Sequence, residues 1–400
     1  MVLSRDTDLD LEATFKASQL IRAHETSHAT QRAWIEINET ALRQNVNAIK
    51  QHLSPQTSLM AVVKADAYGH GGVKVAKTVL EAGGEALAVA TLQEGIELRQ
   101  AEIQAPILVL GAINTVEEIQ ALVTWNLEPT LCSVQQARRF GETLQTLDTT
   151  LSVHLKLDTG MSRLGVLWED AVSFVRCVQE FPELEIKSVY SHLATADENK
   201  DTFMAVQQER FESAIAQLKS IGFTPPCLHL ANSAATLRDS SCHYDLVRVG
   251  LALYGLSPSP QLALNSPLQP VLEVKARITQ IKELPANAGV SYGHQFVTKQ
   301  PTPIAVVGIG YADGVPRNLS NRLEVLLHGK KVPQIGAITM DQLMLDLSNC
   351  ESVQLGDIVT LIGKQGEHTL TAQDWALELG TISWEILCGF KHRLPRIFTQ

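Results

Sequence analysis

The chain has 400 residues, of which 45% are apolar, and its formal net charge at pH 7 is −10. This length exceeds one typical domain, although an α/β barrel alone can occupy about 250 residues, so two domains are expected. The acidic balance excludes a general binder of nucleic acids or membrane surfaces, because either function would need a basic face.

The cysteines indicate a protein whose thiols are reduced, and the apolar residues form neither a signal peptide nor a membrane span. The six cysteines are widely spread and form no Cys-x-x-Cys pair, a pattern typical of cytosolic chains. The N-terminal segment lacks the apolar core of a signal peptide, and no run of 18 apolar residues occurs. The sequence therefore predicts a soluble, cytoplasmic protein with no nucleic-acid or membrane partner.

Residues 1–32 form a polar, weakly patterned extension to which we assign no function. The stretch LEATFKASQLIRAH fits one amphipathic helix, but its composition favours a flexible tail. A short strand follows at about 33–38, in RAWIEIN, and then a helix, ETALRQNVNAIKQHL.

Apolar runs alternate with helical patterns over residues 33–271. There are eight of them: MAVVKA, ALAVAT, PILVLG, EPTLC, VHLKLDT, IKSVYSHL, CLHLANS and LVRVGLALYG. Most lack polar alternation, as expected for parallel strands buried on both faces. They predict an α/β fold of the (β/α)8 TIM-barrel type.

The pattern changes at about residue 272 to β segments separated by Gly and Pro. These segments are LEVKARITQIKEL, PIAVVGIG, LEVLLHG, PQIGAITMDQLMLDL and DIVTLIGKQG. They predict a separate, mostly β domain over residues 272–400.

Polar residues follow several of the predicted barrel strands, at the C-terminal ends where TIM-barrel active sites form. They are Lys156 and Arg163 at the end of strand five, His192 at the end of strand six, His229, Asn232 and Ser233 at the end of strand seven, and Arg248 and Gly250 on strand eight. Each has a structural explanation when taken singly, such as a buried histidine or an ion pair. Their joint placement on one rim predicts a functional site.

Residues 61–71, AVVKADAYGHG, place Lys64 at a strand end beside a turn of small residues that carries Tyr68. A lysine in this position is usually an exposed cation. Here, however, the small residues leave the backbone accessible to a ligand, and a phosphate can bind at the start of the helix that is predicted to follow. An amine beside a phosphate site fits pyridoxal phosphate (PLP), which forms an imine with a lysine.

This motif closely resembles the PLP motif of alanine racemases, and the resemblance covers almost all of residues 33–398. It implies a barrel followed by a β domain, with the strand at about 33–38 joining the second domain. It also implies PLP as cofactor and a homodimer whose active sites are shared between chains. The implied reaction interconverts L- and D-alanine and supplies D-alanine for peptidoglycan.

The resemblance also assigns the cofactor contacts. Lys64 binds PLP, Arg248 donates to the pyridine nitrogen and His229 supports Arg248. The remaining contacts are Tyr68, His192, Asn232, Ser233 and the backbone of Gly250 and Leu251, and no metal is expected. One position departs from the family: Trp384, in TISWEIL, stands where a tyrosine often reaches the phosphate, and an indole offers only an N–H donor.

Racemisation needs a proton removed from one face of Cα and returned to the other, which favours two opposed groups. Lys64 serves one face. By resemblance, Tyr292 in GVSYGHQF serves the other from the partner chain, assisted by His192 and Arg248. The structural alternative for Tyr292 is an aromatic residue on a β-domain surface.

The substrate contacts come from the same resemblance. Arg163 and the backbone amide of Met340 bind the substrate carboxylate, Asp341 shapes the turn at Met340, and Tyr311 narrows the entrance to favour a small side chain. Lys156 matches the family lysine that becomes carbamylated and orients the arginine. An ordinary lysine that repels Arg163 is the alternative.

Three other functions compete with an alanine racemase. One is a broad-specificity or serine racemase on the same scaffold. Another is a decarboxylase of related fold, which would need room and charge for a larger, basic substrate. The third is a PLP-carrying homeostasis protein without enzymatic activity, a class that resembles only the barrel.

Overall fold

The computed structural model describes residues 30–198, 202–258 and 268–400. These residues divide into two compact units. One spans Asn38–Val271, and the other combines the residues up to Ile37 with Leu272–Thr399. The stretch predicted to be a flexible tail, up to residue 29, lies outside the described residues.

Strands and helices are numbered in chain order. The strands are β1 (Ala33–Asn38), β2 (Ser58–Val62), β3 (Ala86–Val89), β4 (Ile107–Ala112), β5 (Glu128–Leu131), β6 (Leu151–Asp158), β7 (Val166–Leu167), β8 (Leu184–Tyr190), β9 (Leu228–His229), β10 (Leu246–Val249), β11 (Leu272–Leu284), β12 (Gly289–Val290), β13 (Phe296–Val297), β14 (Thr302–Val307), β15 (Glu324–Leu327), β16 (Lys330–Pro333), β17 (Leu343–Asp346), β18 (Ile358–Gln365), β19 (His368–Leu370) and β20 (Arg396–Thr399). The helices are α1 (Glu39–His52), α2 (Lys64–Gly69), α3 (Gly72–Glu81), α4 (Leu92–Gln100), α5 (Val116–Thr124), α6 (Val134–Leu147), α7 (Ala171–Gln179), α8 (Phe203–Ser220), α9 (Ser233–Arg238), α10 (Ala372–Leu379) and α11 (Ser383–Gly389).

The first unit is a nearly closed barrel of eight parallel strands in the order β10-β2-β3-β4-β5-β6-β8-β9. Its closing edge is joined by hydrogen bonds from the N–H of Asp245 to the Leu228 carbonyl (3.1 Å) and from the N–H of Arg248 to the Ala231 carbonyl (3.0 Å). Strands such as β3, with every residue buried, have the apolar composition of parallel strands covered on both faces. The predicted TIM barrel is therefore confirmed.

Capping residues fix where the barrel helices begin. Thr91 and Glu94 form a reciprocal capping box at the start of α4, and Thr115 and Glu118 form another at the start of α5. Such caps satisfy backbone N–H groups that the helix itself leaves without acceptors. They determine where the loop after each of these strands ends and the next helix begins.

The second unit is mostly β, as predicted. Its larger sheet has the order β16-β15-β18-β11-β1-β20, and β14 and β17 extend it from β11. β1 pairs antiparallel with β11, with Ile35 opposite Val274, so the strand at the start of the described chain lies in this sheet. A cluster that includes Val290, Ile304 and Met344 is buried beside Phe296.

A helix that crosses a bilayer needs about 20 predominantly apolar residues. Among the helices of the described residues, none is long and apolar enough to cross a membrane.

Candidate active site

Lys64 is the first residue of α2, which follows β2 and is a short left-handed turn. The four residues after it, 65–68, all have φ between 53° and 55°. This conformation costs about 1 kcal/mol or more for each residue other than glycine. The N–H of Ala65 donates to the carboxylate of Glu94 at 2.7 Å, which ties the turn to the start of α4. Lys64 is therefore presented by a strained but anchored backbone.

The start of α3, which the sequence suggested as an anion site, holds an anion of the chain itself. The N–H of Gly72 donates to the carboxylate of Asp66 at 2.5 Å. A carboxylate at a helix N-terminus is favourable. The backbone N–H at the start of α3 is therefore already paired with a carboxylate of the chain.

Several predicted phosphate contacts gather where β9 and β10 end. The hydroxyl of Ser233, the first residue of α9, accepts the N–H of Gly250 at 3.0 Å. A Cβ on Gly250 would lie 2.8 Å from the hydroxyl of Tyr68, so a larger residue would crowd the tyrosine. Gly250 leads into the 3₁₀ helix Leu251–Tyr254. Hydroxyl and amide groups thus surround a cradle that suits a phosphate.

Asn232, expected to contact the cofactor, has a local structural task. Its side-chain oxygen accepts the N–H of Ala235 at 3.0 Å, and its amide group donates to the carbonyl of Leu193 at 3.3 Å. The side chain therefore caps α9 and fixes Ser233, the next residue.

Arg248 is buried, and its guanidinium lies among acceptors from the ends of two strands, β8 and β9. Nη1 donates to Nδ1 of His229 at 2.8 Å, and Nη2 donates to the Ser191 carbonyl at 2.7 Å and to Nδ1 of His192 at 3.2 Å. Burial lowers the pKa of Arg248 to about 10, so the guanidinium is charged at neutral pH. Because it has five N–H donors, it can hold these acceptors and also donate to a ligand.

The two histidines at Arg248 are neutral. Burial, followed by the positive charge of Arg248, lowers the pKa of both His192 and His229 well below 6.5. Lys156, Arg163 and Lys64 contribute further to the lowering at His192. These cations therefore share one electrostatic neighbourhood, which favours anionic ligands.

Tyr190 is a component of this site that the sequence did not reveal. Its ring stacks on His229 with centroids 4.5 Å apart, and it lies 5.0 Å from Cζ of Arg248 and 5.6 Å from Nζ of Lys156. Its hydroxyl is 2.8 Å from that of Thr130. The sequence feature that could have indicated Tyr190 is its position two residues before His192, because alternate residues of an extended chain share a face.

Lys156 is a buried amine beside these cations. Burial, and next the positive charge of Arg248, lower its pKa to about 8. Arg163 adds to the repulsion, whereas its own side chain is exposed. A fraction of roughly one tenth of the amine is then neutral at pH 7, which is the form that reacts with carbon dioxide.

The second unit carries the predicted tyrosine. Tyr292 is 73% exposed in a short 3₁₀ helix, next to Ser291, whose hydroxyl donates to the carbonyl of Ala337 at 2.7 Å. A cavity of about 580 Å³ opens beside it, lined within the same unit by residues that include Lys282 and Gln342.

The structure brings Tyr311 and Met340 together within the second unit. The N–H of Tyr311 donates to the Thr339 carbonyl at 2.9 Å, and both Tyr311 and Met340 are exposed. The fully buried carboxylate of Asp313 accepts from Arg32 at 2.6 Å. Arg32, placed by the sequence in the extension, is thus anchored to the turn that carries Tyr311.

Two other predicted positions lie in the second unit. Asp341 accepts from Nη2 of Arg393 at 2.7 Å, and Trp384 is half-buried in α11. No group of three or more His, Cys, Asp or Glu side chains in the part of the chain described by the structure is placed to hold a metal ion.

The barrel and the β unit each match a known domain. Residues 37–258 match the alanine racemase N-terminal domain, and residues 271–398 match the alanine racemase C-terminal domain. A barrel with a cationic rim, followed by this β unit, defines the class of two-domain barrel racemases. The chain belongs to the alanine racemase family, whose members are PLP-dependent isomerases.

Individual relatives agree with this assignment. The chain is 61% identical to alanine racemase of Synechocystis sp., with 92% of this chain and 99% of the relative covered, and 60% identical to that of Nostoc sp., with 92% and 96% covered. A structure of Bacillus anthracis alanine racemase with bound L-Ala-P has a TM-score of 0.89, 39% identity, and coverage of 94% and 96%. One from Bartonella henselae with covalently bound pyridoxal phosphate has a TM-score of 0.82, 31% identity, and coverage of 92% and 100%.

Proposed function

We propose that this protein interconverts L- and D-alanine with PLP bound at the barrel rim, and that it supplies D-alanine for peptidoglycan in the cytoplasm. The observation that carries the cofactor assignment is the buried, charged Arg248, held by two neutral histidines beside the cradle at Gly250. The substrate assignment is supported by the alanine racemases of 60–61% identity.

The residues present fit PLP. Lys64 would bind its aldehyde carbon, Arg248 its pyridine nitrogen, and Tyr68, Ser233 and the backbone at Gly250 its phosphate. When bound, the cofactor withdraws electrons from Cα of the amino acid and makes the α-proton acidic. Trp384 replaces one expected phosphate contact, so more of the anion binding rests on the cradle.

Two groups of the chain move the proton. Lys64 Nζ and Tyr292 Oη serve opposite faces of Cα, with Tyr292 contributed by the second chain of a homodimer. Tyr292 takes the proton of L-alanine while Lys64 returns one to the other face, and the roles reverse for D-alanine. The exposure of Tyr292 supports this role, because a residue that acts in a partner's site must stand at the surface.

The remaining residues orient the substrate. Arg163 and the backbone N–H of Met340 bind its carboxylate. Tyr311, beside Met340, limits the side chain to one as small as methyl. Carbamylation of Lys156 would replace a cation by an anion among Arg163 and Arg248, and the lowered pKa of its amine supports this modification.

The competing functions differ in what they require. A PLP-carrying homeostasis protein needs only the barrel, whereas this chain matches the second domain as well. A decarboxylase of related fold needs space and charge for a larger, basic substrate, which Tyr311 and Met340 oppose. A broad-specificity or serine racemase would use the same groups, and substrate profiling separates it.

The role of Lys64 is tested with Lys64→Ala and a matched control, Lys74→Ala, at a lysine paired with Glu39 on the barrel surface. We expect borohydride reduction of the PLP-loaded wild type and control to leave a covalent adduct detectable by mass spectrometry. Lys64→Ala should give neither adduct nor racemisation. An adduct on that variant would contradict the assignment of Lys64.

A further inference from the structure

A line of polar side chains runs from Arg248 across the barrel interior. Nη1 of Arg248 contacts Nδ1 of His229 at 2.8 Å, and Nε2 of His229 contacts the hydroxyl of Ser188 at 2.7 Å. Nδ1 of His154 is 2.6 Å from the same hydroxyl, and its Nε2 is 2.9 Å from the carboxylate of Glu128. Five side chains from five strands or strand ends thus form one continuous hydrogen-bonded chain.

With a neutral ring at His154, the two ends of this chain fix the direction of every hydrogen bond. A guanidinium can only donate, so Nδ1 of His229 accepts and Nε2 carries the proton of the neutral ring. Ser188 then accepts from His229 and donates to Nδ1 of His154. The remaining proton of His154, on Nε2, goes to the carboxylate of Glu128, which can only accept.

The charges of these groups agree with that direction. Burial works to raise the pKa of Glu128, but the hydrogen bond from His154 and the positive charges of Lys187 and Arg99 bring it below its ordinary value, so the carboxylate is ionised. His229 is neutral because burial and Arg248 lower its pKa. A cation and an anion therefore lie at opposite ends of a chain of polarised groups, which strengthens the hydrogen bonds between them.

We propose that Glu128, His154 and Ser188 are positioning residues that lock the ring of His229, so that its bare Nδ1 keeps Arg248 directed at the rim. Ser188 gives the Nε2 proton of His229 an acceptor, and Tyr190 stacks on the ring with an interplanar angle of 7°. Without Ser188, that buried N–H loses its acceptor, and only Arg248 and the stacked Tyr190 hold the ring. The consequence for catalysis rests on the proposed function, in which Arg248 contacts the pyridine nitrogen.

The direction of the chain is tested on wild-type protein labelled with ¹⁵N-histidine, by magic-angle-spinning NMR of the imidazole nitrogens. We expect both His154 and His229 to be neutral, with the proton on Nε2 and none on Nδ1. A proton on Nδ1 of His229, or a doubly protonated His154, would overturn the proposal. This measurement needs neither racemisation nor bound cofactor.

The effect on Arg248 is tested with Ser188→Ala, using protein loaded with PLP labelled with ¹⁵N in the ring. The control is Glu85→Gln, which alters a carboxylate that precedes β3, accepts the N–H of Leu59 at 2.8 Å and pairs with Lys50. We expect Ser188→Ala to move the ring-nitrogen shift toward that of PLP lacking a donor, and to lower kcat/KM for alanine about tenfold. Glu85→Gln should change neither.

A wild-type ring-nitrogen shift in Ser188→Ala would overturn the positioning role. Failure of the proposed function would give a different result. The protein would then show the predicted histidine tautomers but would not racemise alanine. The chain of hydrogen bonds would be supported, and only its effect on catalysis would be refuted.

Discussion

Arg248 determines the electronic character of the proposed reaction, because a guanidinium donates hydrogen bonds and does not release a proton. A pyridine nitrogen facing it would stay unprotonated, so bound PLP would withdraw electrons less strongly than beside an acid. Arg248 would thereby favour rapid return of a proton over transamination and decarboxylation.

Tyr292→Phe should affect the two enantiomers unequally. In the proposed mechanism, removing the phenol takes away the group that accepts the proton of L-alanine, while Lys64 can still accept that of D-alanine. We expect exchange of the α-proton in D₂O, followed by ¹H NMR, to fall about 10²-fold or more for L-alanine. The fall for D-alanine should be much smaller.

The control for this variant is Tyr311→Phe, at another exposed tyrosine of the same unit, which keeps the ring that we propose narrows the entrance. It should change the two exchange rates by similar, small factors. Equal losses for the two enantiomers in Tyr292→Phe would refute the assignment of faces.

Lys156 should make stability depend on pH in the alkaline range. Its pKa is about 8 in the folded protein against 10.5 as the ordinary value, so the unfolded chain binds more protons between these limits. The free energy of unfolding should therefore rise with pH from about 8 to 10.5, by at most about 3 kcal/mol from this group.

Urea unfolding at pH 7 and pH 10, in buffers free of carbon dioxide, measures this effect in wild type and Lys156→Met. The wild type should gain more stability between the two pH values than the variant. An identical gain in both proteins would show that Lys156 is not a buried, destabilised cation.

Among single residues, the sequence alone could name those whose motifs resemble a family, such as Lys64 and Arg248. It could not name Tyr190, because a buried tyrosine in an apolar strand is usually core. The polar alternation of Ser188, Tyr190 and His192 at the end of one strand was the signal available. The barrel interior, where such residues meet, exists only after strands distant in sequence have paired.

At the scale of elements, the left-handed turn after Lys64 depends on a helix cap elsewhere in the barrel. Glu94 caps α4 and also accepts the N–H of Ala65. Glu118 forms the equivalent capping box on α5, where its carboxylate accepts the N–H groups of Asn114 and Thr115. Because both glutamates cap a helix but Glu94 alone of the two also contacts the turn, variants of the two residues distinguish loss of a cap from loss of support for the turn.

Glu94→Ala and Glu118→Ala should each lower the free energy of unfolding by about 1 kcal/mol through the lost cap. Only Glu94→Ala should also weaken PLP binding, by about threefold to tenfold, because the turn that presents Lys64 loses an anchor. Urea unfolding and titration of the apoprotein with PLP measure the two effects. Equal PLP affinities in the two variants would contradict the support of the turn by Glu94.

The elements that the sequence predicted well are those whose pattern is local. All eight barrel strands occur where the apolar runs lie, and β11 spans the run LEVKARITQIKEL. The left-handed turn was not foreseen, since Ala, Asp and Tyr do not favour positive φ by themselves and a distant carboxylate helps to hold them there. The last run, LVRVGLALYG, is strand only to Val249 and then becomes a 3₁₀ helix.

At the scale of the whole molecule, the two proposed proton-transfer residues belong to different compact units, Lys64 to the barrel and Tyr292 to the β unit. Our proposal unites them between the two chains of a homodimer. Coexpression of Lys64→Ala and Tyr292→Phe chains tests this directly. Each variant alone should be inactive in converting L-alanine.

A mixed dimer would contain one site with both residues intact only if the sites are shared between chains. Random pairing then restores roughly a quarter of wild-type activity, because half of the dimers are mixed and each has one working site. If both residues of a site come from one chain, the coexpressed mixture stays inactive. That result would contradict the shared site.

The central claim is racemisation restricted to alanine, and the most direct measurement is chiral chromatography of an equimolar pool of L-amino acids incubated with the purified protein and PLP. We predict D-alanine as the only D-amino acid formed. Several D-products would contradict the small pocket at Tyr311 and Met340 and indicate a broad-specificity racemase. No D-product from protein with bound PLP would contradict the racemase function itself.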